Sequence, residues 1–249
     1  MSRGWYFDWF GEDYLRLYPH RDLSEAEAQI AFLCRAVPIA AHHRVLDLAC
    51  GEGRHLFALQ RRGVWSCGID LSELLLQRAG HLLRRLVASP RLVRGDMRRL
   101  PLRRGIDTVL SLFTSFGYFE TEAEERAVLA SVRAVLRPGG TLVLDVLNRP
   151  YVIEHLVGAD RTERGGLEFI QRRRYDPQRR RVIKEITIRE QRQERRYVES
   201  VRAYDRIELT ALLERERFAV RAAYGEFDGR PQNDASPRLI LVARNDAGT

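Results

Sequence analysis

Apolar residues in this chain fall into short runs separated by stretches with helical spacing, and that alternation sets the expected architecture. Runs of strand length occur at 44–48, 65–69, 92–94 and 107–113, and a fifth lies within 136–145, after Pro138-Gly139-Gly140 has ended a helix. Between them, Ile30, Leu33 and Val37 mark a helix expected to open with a Ser24–Glu27 capping box and to stop at Pro38. Further helices are expected over 54–62, stopped by Gly63, over 74–86, ahead of Pro90, and over 121–135, with Thr121 and Glu124 as a second capping box. A helix over 207–216 and strands at 218–224 and 238–243 close the chain. Strands alternating with helices at this spacing imply right-handed crossovers, hence an α/β, doubly wound, mostly parallel seven-stranded sheet with helices on both faces. The final strand pair would supply its antiparallel strand.

Between 161 and 205 the grammar changes. Runs at 167–175, 181–190 and 196–204 alternate imperfectly between apolar and charged residues, with a turn at Asp176-Pro177-Gln178-Arg179. This predicts a small antiparallel β insert. The expected division is therefore an N-terminal segment (1–40), a core (41–150), the insert (161–205) and a C-terminal helix with two strands (206–249) that completes the core. The N-terminal segment carries Trp5, Tyr6, Phe7, Trp9, Phe10, Tyr14 and Tyr18. Such density suits either a plug fastened to the core or a lid over a ligand.

Composition changes the picture little. At 249 residues the chain can bury a full core. It has no apolar stretch long enough to span a bilayer and no leader pattern, so a cytoplasmic location is expected, with no membrane partner, as a monomer or homodimer. Cys34, Cys50 and Cys67 lack metal-ligand spacing, and no metal is expected. The net charge is +8, and the segment 161–206 holds fourteen Arg and one Lys against eight acids, nearly the whole excess. Lys184 is the only lysine, so the bias toward Arg reads first as a compositional habit and as a solvated face.

Candidate chemistry gathers at Asp47-Leu48-Ala49-Cys50-Gly51-Glu52-Gly53, a glycine turn between a strand and a helix, where backbone N–H groups can approach a ligand. A P-loop would need Gly-Lys-Ser/Thr, which is absent. A dinucleotide loop would need a third small residue where Leu56 stands. Asp70 ends the second strand about twenty residues on, placed to accept two bonds from a ribose diol. Asp96 follows the third strand. These features in this order resemble class I S-adenosylmethionine-dependent methyltransferases over 45–148. The resemblance implies that the turn meets the methionine part of the cofactor, that Asp96 accepts from the adenine amine and that Met97 packs on the ring. It implies cofactor contacts at Tyr14, Arg21, Asp47, Gly51, Gly53, Asp70, Leu71, Asp96, Met97 and Leu112. Acceptor contacts are expected from Ser115, Phe116 and Tyr118 after the fourth strand and from Tyr151 after the fifth.

Methyl transfer from a sulfonium is an in-line displacement that mainly requires alignment and exclusion of water. A base is needed only if the acceptor's proton must leave early; Tyr118, His20 and His55 are the candidates. The expected activity is methylation of nitrogen or oxygen on a small molecule, in a layout similar to amino-sugar and glycine/sarcosine N-methyltransferases. The alternatives are an RNA or protein methyltransferase docking through the Arg-rich insert, and a NAD-type dehydrogenase on a similar sheet.

Overall fold

The computed structural model describes residues 4–19, 22–87, 89–191 and 193–246. Two short helices, α1 (Tyr6–Trp9) and α2 (Glu12–Leu17), precede α3 (Leu23–Ala36). The core then runs β1 (Arg44–Leu48), α4 (Arg54–Arg61), β2 (Trp65–Asp70), α5 (Glu73–Leu83), β3 (Leu92–Arg94), β4 (Ile106–Ser111), α6 (Glu122–Val135) and β5 (Leu136–Leu147). After α7 (Arg149–His155) come the insert strands β6 (Ala159–Arg164), β7 (Leu167–Asp176), β8 (Arg181–Glu190) and β9 (Gln193–Arg202). Helix α8 (Arg206–Arg215), β10 (Phe218–Tyr224) and β11 (Arg238–Asn245) complete the chain.

The main sheet has seven strands in the order β10-β11-β5-β4-β1-β2-β3, and β11 is antiparallel to both β5 and β10 while the other pairings are parallel. Helices cover both faces, as the alternation requires. On one, Val128, Leu129 and Val132 of α6 and Leu209, Leu212 and Leu213 of α8 pack on Leu46, Leu142 and Leu144. On the other, Ile30 and Leu33 of α3 and Ala58 and Leu59 of α4 pack on Val45, Leu110 and Val143. The winding reverses between β1 and β4, so the carboxyl ends of those two strands open a crevice.

Several boundaries move from expectation for local reasons. Helix α3 is capped by Asp22, whose carboxylate accepts from the Glu25 N–H at 2.9 Å, so the helix starts before Ser24. The Thr121–Glu124 box forms as expected. Helix α5 ends at Leu83, short of residue 86. The insert has four strands in the order β6-β7-β8-β9, one more than the pattern showed. Strand β6 is hidden in the sequence because nearly all its residues are exposed and four of its six are charged. One insert face is apolar, and α1 and α2 close it: Trp9 and Leu17 pack with Leu167, Phe169, Ile186 and Ile188. Among the described residues, no helix is long and apolar enough to cross a membrane.

Candidate functional site

The glycine turn leaves β1 through a left-handed backbone at Ala49 (φ 58°), Gly51 (φ 53°) and Gly53 (φ 77°). Gly53 caps α4, and a Cβ there would meet the Ala79 Cβ at 3.0 Å. Leu56, in the place of a third glycine, is fully buried beside Cys50, Phe57 and Leu83. Gly68 of β2 makes the room, since a Cβ on it would lie 2.5 Å from Leu56 Cδ1. The tight turn is kept and helix–strand closeness is achieved by a glycine on the neighbouring strand.

Asp70 braces this turn. The Gly51 N–H donates to Oδ2 and the Ser72 N–H to Oδ1, both at 2.8 Å. A carboxylate has about four acceptor positions, so this pattern leaves capacity for a diol. Burial raises the Asp70 carboxyl, opposed by the backbone bonds from Ser72, Gly51 and Leu71. Asp47 is 2% exposed and its Oδ2 has no hydrogen-bond partner among the described residues. Burial, with the Asp70 charge added and Arg54 opposing, pushes its carboxyl up to about 8. Asp96 is held in a fork by Arg98, with Nη2 to Oδ2 at 2.6 Å. Burial raises its carboxyl, but the bonds from Arg98 outweigh this and keep it below the usual range.

These groups line one cavity of about 1160 Å³, open solvent at its mouth included. Its opposite wall comes from the N-terminal segment and the turn after β4. Tyr6, Phe10, Tyr14 and Tyr18 line it, and Phe10 sits 4.9 Å from Tyr14 and 5.7 Å from Tyr118, centroid to centroid. Ser72 Oγ donates to the Phe10 carbonyl at 2.8 Å, tying this wall to the Asp70 loop. After β4 the chain is left-handed at Phe113 (φ 56°) and Thr114 (φ 62°), uncommon for residues with side chains. Asp145 of β5 holds it there: its Oδ2 accepts from the Phe113 N–H at 2.7 Å and its carbonyl from the Thr114 N–H at 2.9 Å. Arg238 of β11 in turn binds both Asp145 oxygens, at 2.6 and 2.5 Å.

Of the expected cofactor residues, Tyr14, Asp47, Gly51, Asp70, Leu71, Asp96, Met97 and Leu112 line the cavity, and Gly53 lies behind them as the helix cap. Ser115 and Tyr118 line it as well. Phe116 does not: it is fully buried against Tyr204, because the turn directs it into the core. Tyr151 does not either. Its ring stacks on His155 at 4.0 Å, on α7. His55 reaches the cavity, but its Nε2 lies 2.8 Å from Gln29 Oε1, and burial, helped by Arg54, lowers its pKa to about 3. So weak a base is a poor proton acceptor. His20 and Arg21 lie outside the described residues. Tyr18, from the expected aromatic lid, and Phe113, from the end of the fourth strand run, also line the cavity; Arg54 and Ser72 line it too and were not among the expected site residues, although Ser72 was legible as the N-cap of α5. Among the described residues, no group of three or more His, Cys, Asp or Glu could hold a metal ion.

Residues 45–140 match the family model described as a methyltransferase domain. The chain is 36% identical over 126 residues to a dTDP-3-amino-3,4,6-trideoxy-alpha-D-glucopyranose N,N-dimethyltransferase of Streptomyces venezuelae, covering 50% of this chain and 51% of the relative. It thus spans about half the length of the curated relatives it matches. Among solved structures, a S-adenosylmethionine-dependent methyltransferase of Clostridium acetobutylicum superposes with a TM-score of 0.78 at 18% identity, covering 94% of this chain and 97% of that one; this shows a shared fold. SAM-bound CalS10, an amino pentose methyltransferase of Micromonospora echinaspora, superposes with a TM-score of 0.67 at 27% identity, again covering 94% and 97%. Fold and matched segment agree: residues 45–140 match a methyltransferase domain, and the chain shares the fold of S-adenosylmethionine-dependent methyltransferases.

Proposed function

We propose that this protein transfers a methyl group from S-adenosylmethionine to a nitrogen of a small-molecule acceptor. One observation carries the reading: a single cavity joins the braced glycine turn and the Asp70 and Asp96 carboxylates to a wall of aromatic side chains. The residues fit the cofactor. Asp70 retains acceptor capacity for a diol, the unpartnered Asp47 Oδ2 offers a counter-charge to a cationic ligand, and Met97 stands beside Asp96 for a flat ring. Bound there, S-adenosylmethionine supplies an electrophilic methyl already activated by its positive sulfur. The protein's task is then alignment and exclusion of water, which can supply on the order of 7–11 kcal/mol.

Nitrogen is favoured as the acceptor atom by the names of the amino-sugar relatives and by the site itself. An amine attacks as its free base and sheds its proton after transfer, so the weakness of His55 as a base is no obstacle. Labelled methyl from S-adenosylmethionine, offered with nucleotide-linked amino sugars, glycine, sarcosine and tRNA, tests the reading. Label on an amino sugar or amino acid is expected. Label confined to RNA would replace this reading with that of an RNA methyltransferase. Calorimetric binding of NAD in place of S-adenosylhomocysteine would remove the cofactor assignment.

A further inference from the structure

Arg181 is the first residue of β8, in the insert, yet it bonds mainly to the core. Its side chain is buried, 3% exposed, and its hydrogen-bond partners among the described residues are carbonyls and a hydroxyl rather than carboxylates. Nη1 donates to the Phe119 carbonyl at 2.7 Å, and Nη2 lies 3.1 Å from both the Gly117 and Tyr118 carbonyls. Nε donates to Ser200 Oγ at 2.7 Å and Nη2 also reaches the Ser200 carbonyl at 2.5 Å. One guanidinium thus binds three consecutive carbonyls of the segment after β4 and locks them to β9. A planar fork of five N–H donors suits this task; an ammonium with three does not.

The same segment is held from the other side. Glu125 of α6, 1% exposed, accepts from the Phe119 N–H at 3.3 Å. The Gly117 carbonyl also accepts from the Arg202 N–H at 2.8 Å, and the position favours glycine: its φ is 103°, and a Cβ there would press on the Arg202 carbonyl at 3.0 Å. What the clamp presents to the cavity is Tyr118 and Phe119. The N-terminal aromatics rest on these two rings, Trp5 on Tyr118 at 4.9 Å and Tyr6 on Phe119 at 5.5 Å.

We propose that Arg181 is a positioning residue for methyl transfer: through the backbone of Gly117, Tyr118 and Phe119 it sets the acceptor-side wall of the cavity, and with it the seat of the N-terminal aromatics. Through this side chain the insert acts on the reaction from a position apart from the cofactor wall formed by Gly51, Asp70 and Asp96. The inference rests on the methyl-transfer reading given above.

The test compares two cofactor analogues in wild type, Arg181→Lys and Arg181→Met. S-adenosylhomocysteine reads only the cofactor wall; sinefungin carries an amine where the transferable methyl would sit and so also reads the acceptor side. Both variants are expected to keep wild-type affinity for S-adenosylhomocysteine while the ratio of the two dissociation constants shifts by on the order of tenfold, the effect of losing about one hydrogen bond to the sinefungin amine. Hydrogen exchange should quicken in a peptide spanning 113–120 and stay unchanged in β1. A ratio that stays constant overturns the proposal, as does an equal loss for both ligands, which marks Arg181 as a support of the whole fold. Should wild type bind neither analogue, the cofactor reading fails on its own; unchanged exchange at 113–120 would still overturn the clamp.

Discussion

Asp47 is a buried carboxyl whose Oδ2 has no hydrogen-bond partner among the described residues, and part of the protein's pH behaviour follows from its burial. Its ordinary value of 3.8 is pushed up to about 8 by burial, with the neighbouring Asp70 charge adding to it. Between those values the folded chain holds a proton that the unfolded chain has released, so this group's contribution to stability is full below 3.8 and is lost as pH rises through about 8. Glu125, raised to about 8 chiefly by burial, has the same sign. His55 has the opposite one: lowered from 6.5 to about 3, it withdraws stability as pH falls below 6.5. Urea midpoints measured from pH 5 to 8 should therefore decline more steeply in wild type than in Asp47→Asn, with Glu125 and, below pH 6.5, the opposing His55 setting the slope that remains; parallel profiles would contradict the assignment. A cationic ligand favours the ionised form of Asp47, so binding of S-adenosylmethionine at pH 7 should release a proton. Calorimetry in phosphate and in Tris, whose ionisation enthalpies differ, should give unequal apparent enthalpies. Asp70 acts differently, because its oxygens are already anchored by Gly51 and Ser72. Asp70→Ala should weaken S-adenosylhomocysteine binding by roughly 1.5–3 kcal/mol, the worth of hydrogen bonds to a charged group. An unchanged dissociation constant would take Asp70 out of the site.

At the scale of elements, the cavity wall after β4 depends on β11, whose Arg238 guanidinium also lies 5.3 Å from the centroid of the Phe113 ring. Arg238 of β11 pairs with Asp145 of β5, fully buried, and Asp145 holds Phe113 and Thr114 left-handed. Removing one partner of a buried pair strands the other charge, so Arg238→Met should destabilise the fold by about 3 kcal/mol, read as a lower urea midpoint. No shift would mean that Asp145 finds its counter-charge elsewhere. Such links explain what the sequence could and could not reveal. The strand–turn–helix at Asp47 to Gly53 and the carboxylates at Asp70 and Asp96 were legible because one element fixes each of them, through period, glycine spacing and strand end. Ser115 and Tyr118 followed from the topology of β4. Arg181 and Arg238 were invisible: each stands among many arginines, and only contacts across 62 and 93 positions distinguish them. Phe116 was ambiguous for a related reason, since an aromatic next to a strand end serves core and cavity equally well until the turn's twist is known.

For the whole molecule, several arginines of the insert are paired with its own carboxylates, although its eight acids leave most of the basic excess unbalanced. Arg173, Arg189 and Arg196 each pair with a carboxylate of the same sheet, and Arg195 pairs with both Glu190 and Asp13 of α2. Lys184, the only lysine, donates to the Tyr18 hydroxyl, and Glu199 accepts from both Tyr18, at 3.1 Å, and Trp9 Nε1, at 2.5 Å. These bonds tie the charged insert sheet to the N-terminal segment. That segment is at once the aromatic wall of the cavity and the cover of the insert's own core, and the two roles predict different consequences of its removal. As a lid alone, residues 1–18 could be deleted with loss of turnover and no loss of stability. As a cover, Trp9 and Leu17 each bury a large side chain, worth about 1.5–3 kcal/mol apiece, and their loss exposes Leu167, Phe169, Ile186 and Ile188 to water. Truncation should therefore lower the melting temperature and create sites for a hydrophobic dye, while S-adenosylhomocysteine still protects the Gly51 turn from exchange. A truncated chain that melts like wild type and binds no dye would show that the insert stands by itself and that the N-terminal segment only covers the cavity.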